Sequence, residues 1–360
     1  MGEFSVGNAI DNKTHRRLRA RVSPAYATAS TESHEHVVSA YIEKLIGLIE
    51  RRYISTRDEF RPCDLANISQ YFTQDVITML GFGEAVGNLD ADKDVFGMMK
   101  IGQLLIPPMH VVAYFPLVRN LLSLNLSPKP SNRNAMGRFI NYINGRVAQR
   151  FVPDPVTNAK IRIDDALQTI VDTGMTRAEA EAEASIFLFG GTDTTSTALR
   201  NAIFYLAAAN PVAYRALQAE IDEAAKTAAR PVISDEQARN LPFLQACIKE
   251  ALRLWPPAMG DMFKVSDRDD VVCGIKVPAG TEVGWAALAV MKDRRVFGEN
   301  AELFEPRRWI DAERDGDEER LREMEATYGL VFAAGTRWEC LGKKLSLVEL
   351  GKVLFEVRTS

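Results

Sequence analysis

The stretch Val331–Leu345 reads VFAAGTRWECLGKKL. Cys340 stands two residues before Gly342, with Gly335 and Arg337 upstream and an apolar helical pattern from Leu341 to Val357 downstream. The spacing puts the cysteine at the start of the last helix. Free backbone N–H groups and the helix dipole favour negative charge there. Both stabilise a thiolate, the form of cysteine that binds metals. Gly335 and Gly342 remove side chains on either side, so a large flat group can approach the sulfur. Arg337 is placed to pair with an anionic group on such a ligand. A buried cysteine acting as a small hydrophobe fits the same stretch.

The rest of the chain bounds the choice. Its 360 residues are 46% hydrophobic and 26% charged, a globular composition with enough apolar content for a sizeable core. The net charge of -4 gives no support to a nucleic-acid partner. Cys63, Cys247, Cys273 and Cys340 form no CxxC pair. That pattern speaks against a disulfide framework or structural zinc and fits a reducing compartment. The first residues lack the apolar run of a signal peptide. The most apolar stretch, Ile101–Val118, contains three prolines and reads as a buried helix pair with a loop, not a membrane span. A contact with a membrane surface stays open.

Helical periodicity dominates. It marks Ser33–Arg52, Ile68–Leu80 (broken at Gly81–Gly83), Gly137–Phe151 and Phe243–Trp255. Ser127–Asn134 reads as a polar loop. The longest helix, Arg177–Ala209, opens on a Thr176/Glu179 capping box and stops at Asn210-Pro211. A second box is Ser234/Gln237. Val271–Val290 has the β-branched runs of short strands, with Pro278-Ala279-Gly280 as the turn. Asp311–Glu325 is densely charged and is expected to be irregular. The fold class is therefore mainly α with a minor β component, in a single domain over 1–360.

Three more pieces carry chemistry. FLFGGTDTT, Phe187–Thr195, places two glycines in mid-helix, each costing roughly 1 kcal/mol against alanine. They fit either close helix packing or a widened groove beside a proton relay of Asp193 and Thr194. Glu250 and Arg253 share one face of an apolar helix, where burial demands a network. Arg308 in FEPRRW is a candidate partner. His15 and Arg19, four residues apart, fit a solvated basic helix or a carboxylate-gripping pair.

In this order, HRRLR, FGGTDTT, ExxR, FEPRRW and FAAGTRWECLG together resemble the cytochrome P450 superfamily, of fungal type. The resemblance runs from His15 to the last helix. It implies a haem-thiolate monooxygenase with haem b, and Cys340 as the axial ligand of its iron. The thiolate pushes electron density onto the iron. Asp193 and Thr194 match the acid–alcohol pair that delivers protons during dioxygen activation. Glu250, Arg253 and Arg308 match the structural triad. His15, Arg19, Lys264 and Arg337 match propionate-binding positions, and Phe332 matches the aromatic near the thiolate. Met259 falls in a segment that lines the substrate pocket in the family.

The partners implied are a small lipophilic substrate, plausibly of secondary metabolism, and a P450 reductase passing electrons from NADPH. Arg16, Arg17, Lys343 and Lys344 would form a basic docking face. The location implied is the endoplasmic-reticulum membrane surface.

The chain departs from the family pattern in several places. Phe332 to Cys340 spans eight positions, where the pattern has seven, so the loop must bulge and Arg337 lies three before the cysteine. Lys264 stands where arginine is usual, giving charge without a fork. Arg307 replaces an acid. Measured against the family, the chain starts at the third major helix, without membrane anchor or first sheet, and stops before the C-terminal hairpin. Two functional readings follow: a monooxygenase, or a non-catalytic truncated remnant that binds haem poorly or not at all.

Overall fold

A computed structural model describes residues 5–9, 11–28, 32–115, 117–118, 121, 135–152, 164–260 and 263–359. The predicted polar loop at 127–134 lies outside them. The principal helices are α1 (Asn12–Thr28), α2 (Glu32–Arg52), α3 (Leu65–Phe82), α4 (Met98–Ala113), α5 (Ala135–Phe151) and α6 (Ala166–Asp172). They continue as α7 (Arg177–Phe204), α8 (Pro211–Ala224), α9 (Asp235–Arg239), α10 (Pro242–Leu254), α11 (Arg307–Arg314), α12 (Glu318–Gly329) and α13 (Lys343–Thr359). Short strands β1 (Lys264–Val265) and β4 (Glu282–Val283) pair antiparallel, as do β2 (Asp270–Val272) and β3 (Ile275–Val277). The fold is mainly α with a minor β component.

The helix ends follow their local chemistry. Thr176 and Glu179 cap α7 reciprocally, as Ser234 and Gln237 cap α9. From Tyr205 to Ala209 the helix after α7 widens to a π turn, then Asn210 caps α8 with Pro211 at its first position. The helical run 177–209 extends about 50 Å. α3 absorbs Gly81 and Phe82 and ends at Gly83, whose φ of 72° is left-handed.

α7 is the spine of the molecule, and α3 lies along it in the most extensive helix–helix contact. α13 also packs on it. This last helix is buried nearly all round: Leu345, Val348, Leu350, Val353, Leu354 and Phe355 are core, and so are Glu349 and Lys352. The apolar pattern in its sequence, with Leu347, Leu350, Leu354 and Val357 expected on one face, describes only part of this buried surface. Lys352 is tolerated in the core because its ammonium reaches Glu35 Oε1 at 2.5 Å and Ser39 Oγ at 2.9 Å.

Four expectations need correction. Ile101–Val118 is no buried pair: it belongs mostly to the single helix α4, with Pro107 and Pro108 inside, and Leu104, Met109, Val111 and Leu117 are exposed. The β2–β3 hairpin turns at Cys273-Gly274, both with positive φ, while Pro278–Gly280 turns the chain between β3 and β4. Ala287–Val290 is a helical turn. Asp311–Glu325 is mostly helical, because Trp309, Ala312, Met324 and Tyr328 bury one side while Gly316 and the Asp317 cap separate α11 from α12.

Between α10 and α11 the backbone is irregular, and one carboxylate organises it. The side chains of Glu250 and Arg253 are both 0% exposed. Glu250 takes Arg253 on both oxygens at 2.7 and 2.9 Å, Arg308 Nε at 2.9 Å, the Trp309 indole N–H at 3.0 Å and the Glu305 amide at 3.0 Å. The spare guanidinium N–H groups donate to carbonyls: Arg253 to Met291, Ala301 and Leu303, and Arg308 to Phe297 and Asn300. Burial pulls the Arg308 value down, and Glu250 opposes it. Removing the one acid leaves two buried cations unpaired. Glu250→Gln is expected to destabilise the fold by about 3–5 kcal/mol in denaturant unfolding.

Candidate active site

The Cys340 loop is a run of tight turns. Ala333 has φ 50° and Gly335 φ 74°. Ala334 N donates to Gly329 O at 2.9 Å, and Thr336 Oγ1 to Ala333 O at 2.7 Å. The loop closes, because Cys340 N donates to Phe332 O at 2.8 Å. The final helix begins at Lys343, not Leu341, so Cys340 stands just outside its first turn.

An added Cβ at Gly342 would lie 4.0 Å from the sulfur, and one at Gly335 would meet nothing within 4 Å. Cys340 is exposed. Even so, crowding by surrounding protein pushes its thiol above the ordinary value. The backbone N–H groups of Gly342 and Lys343 and the charge of Arg19 pull the other way. The helix start therefore favours the thiolate without securing it.

Around the sulfur the structure gathers groups from three distant parts of the chain. His15 of α1 is buried, and its ring lies 6.4 Å from that of Trp338. Lys264 of β1 places its ammonium 4.0 Å from the Trp338 centroid, and the Arg337 guanidinium carbon lies at 4.7 Å. Arg19 acts electrostatically on both His15 and Cys340. Burial lowers the His15 value, and Arg19, Lys264 and Arg337 lower it further. His15 is thus neutral at pH 7, a hydrogen-bonding imidazole and not a cation. Burial and Arg337 lower the Lys264 value as well. Phe332 is buried below, edge-on to Tyr328 at 6.3 Å. Trp338 was not anticipated, since a lone loop aromatic has no periodic signal, and of its two cations only Arg337 adjoins it in sequence.

This donor set fits haem. A thiol, an open approach beside two glycines and the cations Arg19, Lys264 and Arg337 suit an iron with attached carboxylates. Among the described residues, no salt bridge joins those three cations to an acid.

The two helical glycines have separate jobs. A Cβ at Gly191 would come within 2.5 Å of Ile77 on α3, so Gly191 serves close packing. A Cβ at Gly190 would meet nothing within 4 Å. Thr194 is exposed, and its hydroxyl donates to Gly190 O at 2.6 Å. Asp193 turns towards α3 and accepts from the Gln70 amide. Burial raises its value from the ordinary aspartate value, and the Gln70 hydrogen bond opposes this. The acid and alcohol are neighbours in sequence that point to different partners.

Of the expected basic docking residues, Arg17 is paired with Glu179 at 2.8 Å and Lys343 with Glu339 at 3.6 Å. Arg16 and Lys344 are exposed. Met259 is exposed in the segment after Pro256-Pro257. That segment runs beside α4, where Phe263 meets Tyr114 edge-on at 5.6 Å. No helix among the described residues is long and apolar enough to cross a membrane.

The family model for cytochrome P450 matches residues 6–357. The chain is 36% identical to cytochrome P450 monooxygenase ABA1 of Pyricularia oryzae, over 98% of this chain and 69% of that protein. It is 32% identical to cytochrome P450 monooxygenase abl1 of Leptosphaeria maculans, over 96% of this chain and 61% of that protein. It is 27% identical to cytochrome P450 monooxygenase mpaDE of Penicillium brevicompactum, over 97% and 41%. The chain belongs to the cytochrome P450 family, and its enzyme class is the cytochrome P450 monooxygenases.

Two predictions follow from α7. Gly191→Ala is expected to cost about 1–3 kcal/mol by overpacking Ile77, whereas Gly190→Ala is neutral or stabilises by up to about 1 kcal/mol; thermal or denaturant unfolding separates them. The second concerns Glu183, which is buried, accepts from the Val6 amide, leaves its other oxygen unpartnered and sits near Glu179 and the Tyr26 phenol. Burial raises it from 4.5 to about 7. Below pH 4.5 it is protonated in folded and unfolded chains alike. As pH rises towards 7 only the unfolded chain releases the proton, and stability falls by roughly 3 kcal/mol in total. Glu183→Gln is expected to remove that loss, so its advantage over wild type grows between pH 5 and 8 in urea unfolding.

Proposed function

We propose that this chain is a haem-thiolate monooxygenase that places one oxygen atom from dioxygen into a small lipophilic substrate, in fungal secondary metabolism. The observation that carries the reading is the meeting of Cys340, Arg19, Lys264 and Arg337 beside one open approach. Cys340 would hold the iron, with Phe332 packed beneath the loop. Arg19, Lys264 and Arg337 would take the propionates, with neutral His15 donating a hydrogen bond. Bound haem supplies the dioxygen chemistry.

The remaining work falls to the protein. Asp193, with its raised value, would hold a proton on α7 and pass it towards the Thr194 hydroxyl; this needs a swing away from Gln70. Gly190 would keep the face beside Thr194 open. The exposed apolar side chains of α4 and the Met259 segment would gather a lipophilic substrate and lie against the endoplasmic-reticulum surface. Electrons would come from NADPH through a reductase that meets Arg16 and Lys344. Against the non-catalytic alternative stands the grouping itself: Arg19 acts on both Cys340 and His15, and Lys264 and Arg337 act on the same histidine.

The test is the absorption spectrum of the haem-supplied chain under CO, reduced in parallel by dithionite and by NADPH with a P450 reductase. A red-shifted Soret band with both reductants, abolished in Cys340→Ala, is expected. A band of neutral-thiol or histidine type would refute the thiolate assignment, and a band with dithionite alone would refute the reductase.

A further inference from the structure

The contacts of Trp338 reach beyond the loop that carries it. Its ring touches α1 through His15, β1 through Lys264 and its own neighbour Arg337. Its backbone is fixed by the turn, since Trp338 N donates to Thr336 Oγ1 at 3.2 Å. The indole is 36% exposed, so it is no core anchor. Arg337 and Lys264 carry like charges close enough for one to depress the other. Two cations so placed separate unless something attractive lies beside them, and an indole is the strongest cation–π partner among the aromatic side chains. Arg337 and Trp338 adjoin in the loop, three and two residues before Cys340.

We propose that Trp338 is a positioning residue for the cofactor: its ring holds Lys264 and Arg337 together on the rim beside Cys340, aimed at the haem propionates. This rests on the haem reading above. The effect runs through carboxylate recognition and not through the iron, so it has its own signature.

The experiment compares wild type with Trp338→Phe, Trp338→Leu and Trp338→Ala, each loaded with haem or with haem dimethyl ester, whose propionates carry no charge. Haem release to an excess of apomyoglobin is followed in each, with the reduced CO spectrum recorded first. The leucine and alanine variants are expected to release haem about tenfold faster, as loss of two cation–π contacts implies. Phenylalanine, which keeps a π face, is expected to stay within about twofold of wild type. With the dimethyl ester all four proteins should release alike, and the thiolate-type Soret band should be common to all. Equal release of ordinary haem from wild type and Trp338→Leu would overturn the proposal. So would an equal leucine effect with the ester, which would make Trp338 a packing residue only. Absence of a thiolate band in wild type is a separate outcome, which overturns the haem reading and this inference with it.

Discussion

One buried carboxylate, that of Glu250, sets the geometry on which the site depends. It neutralises Arg253 and Arg308 and binds the Trp309 indole. The two guanidiniums in turn hold the carbonyls of residues spread from Met291 to Leu303. This irregular stretch has few ladder bonds of its own, and buried carbonyls need partners. From there the order passes through rings. Trp309 meets Tyr328 edge-on at 5.9 Å, Tyr328 meets Phe332, and Phe332 O accepts the amide of Cys340. A charge on α10 thus fixes the position of a sulfur some ninety residues later.

The electrostatics of the site differ from a simple picture of a ready-made thiolate. The cations are in place before any ligand, while crowding keeps the thiol raised and His15 neutral. On the haem reading, Arg19, Lys264 and Arg337 would meet the anionic edge of the cofactor and Cys340 would hold its metal as thiolate. Metal binding to a protonated thiol would then release that proton. Glu183 is shifted the same way, by burial first, with the Val6 amide opposing and Glu179 adding to it.

Much of this was legible in the sequence, and the reasons are local. Capping boxes, the ExxR pair and the Asn-Pro stop depend on neighbours within a few residues, and the structure keeps them. Readings that needed tertiary context fared differently. The apolar content of Ile101–Val118 implies burial only if something in the described chain covers it, and much of α4 is exposed. The charged segment at 311–325 folds because a few positions, Ala312 and Met324 among them, find the core. Charge density outweighed them in a linear reading. The two glycines of α7 look alike in sequence, and only the position of Ile77 tells them apart. Trp338 gave no pattern at all.

The position of haem is the central question. A crystal structure of the haem-loaded chain tests that most directly. Cys340 Sγ is expected as the axial ligand, with the propionates turned to Lys264 and Arg337 around the Trp338 ring. Haem bound elsewhere, or bound with Cys340 off the iron, would contradict it.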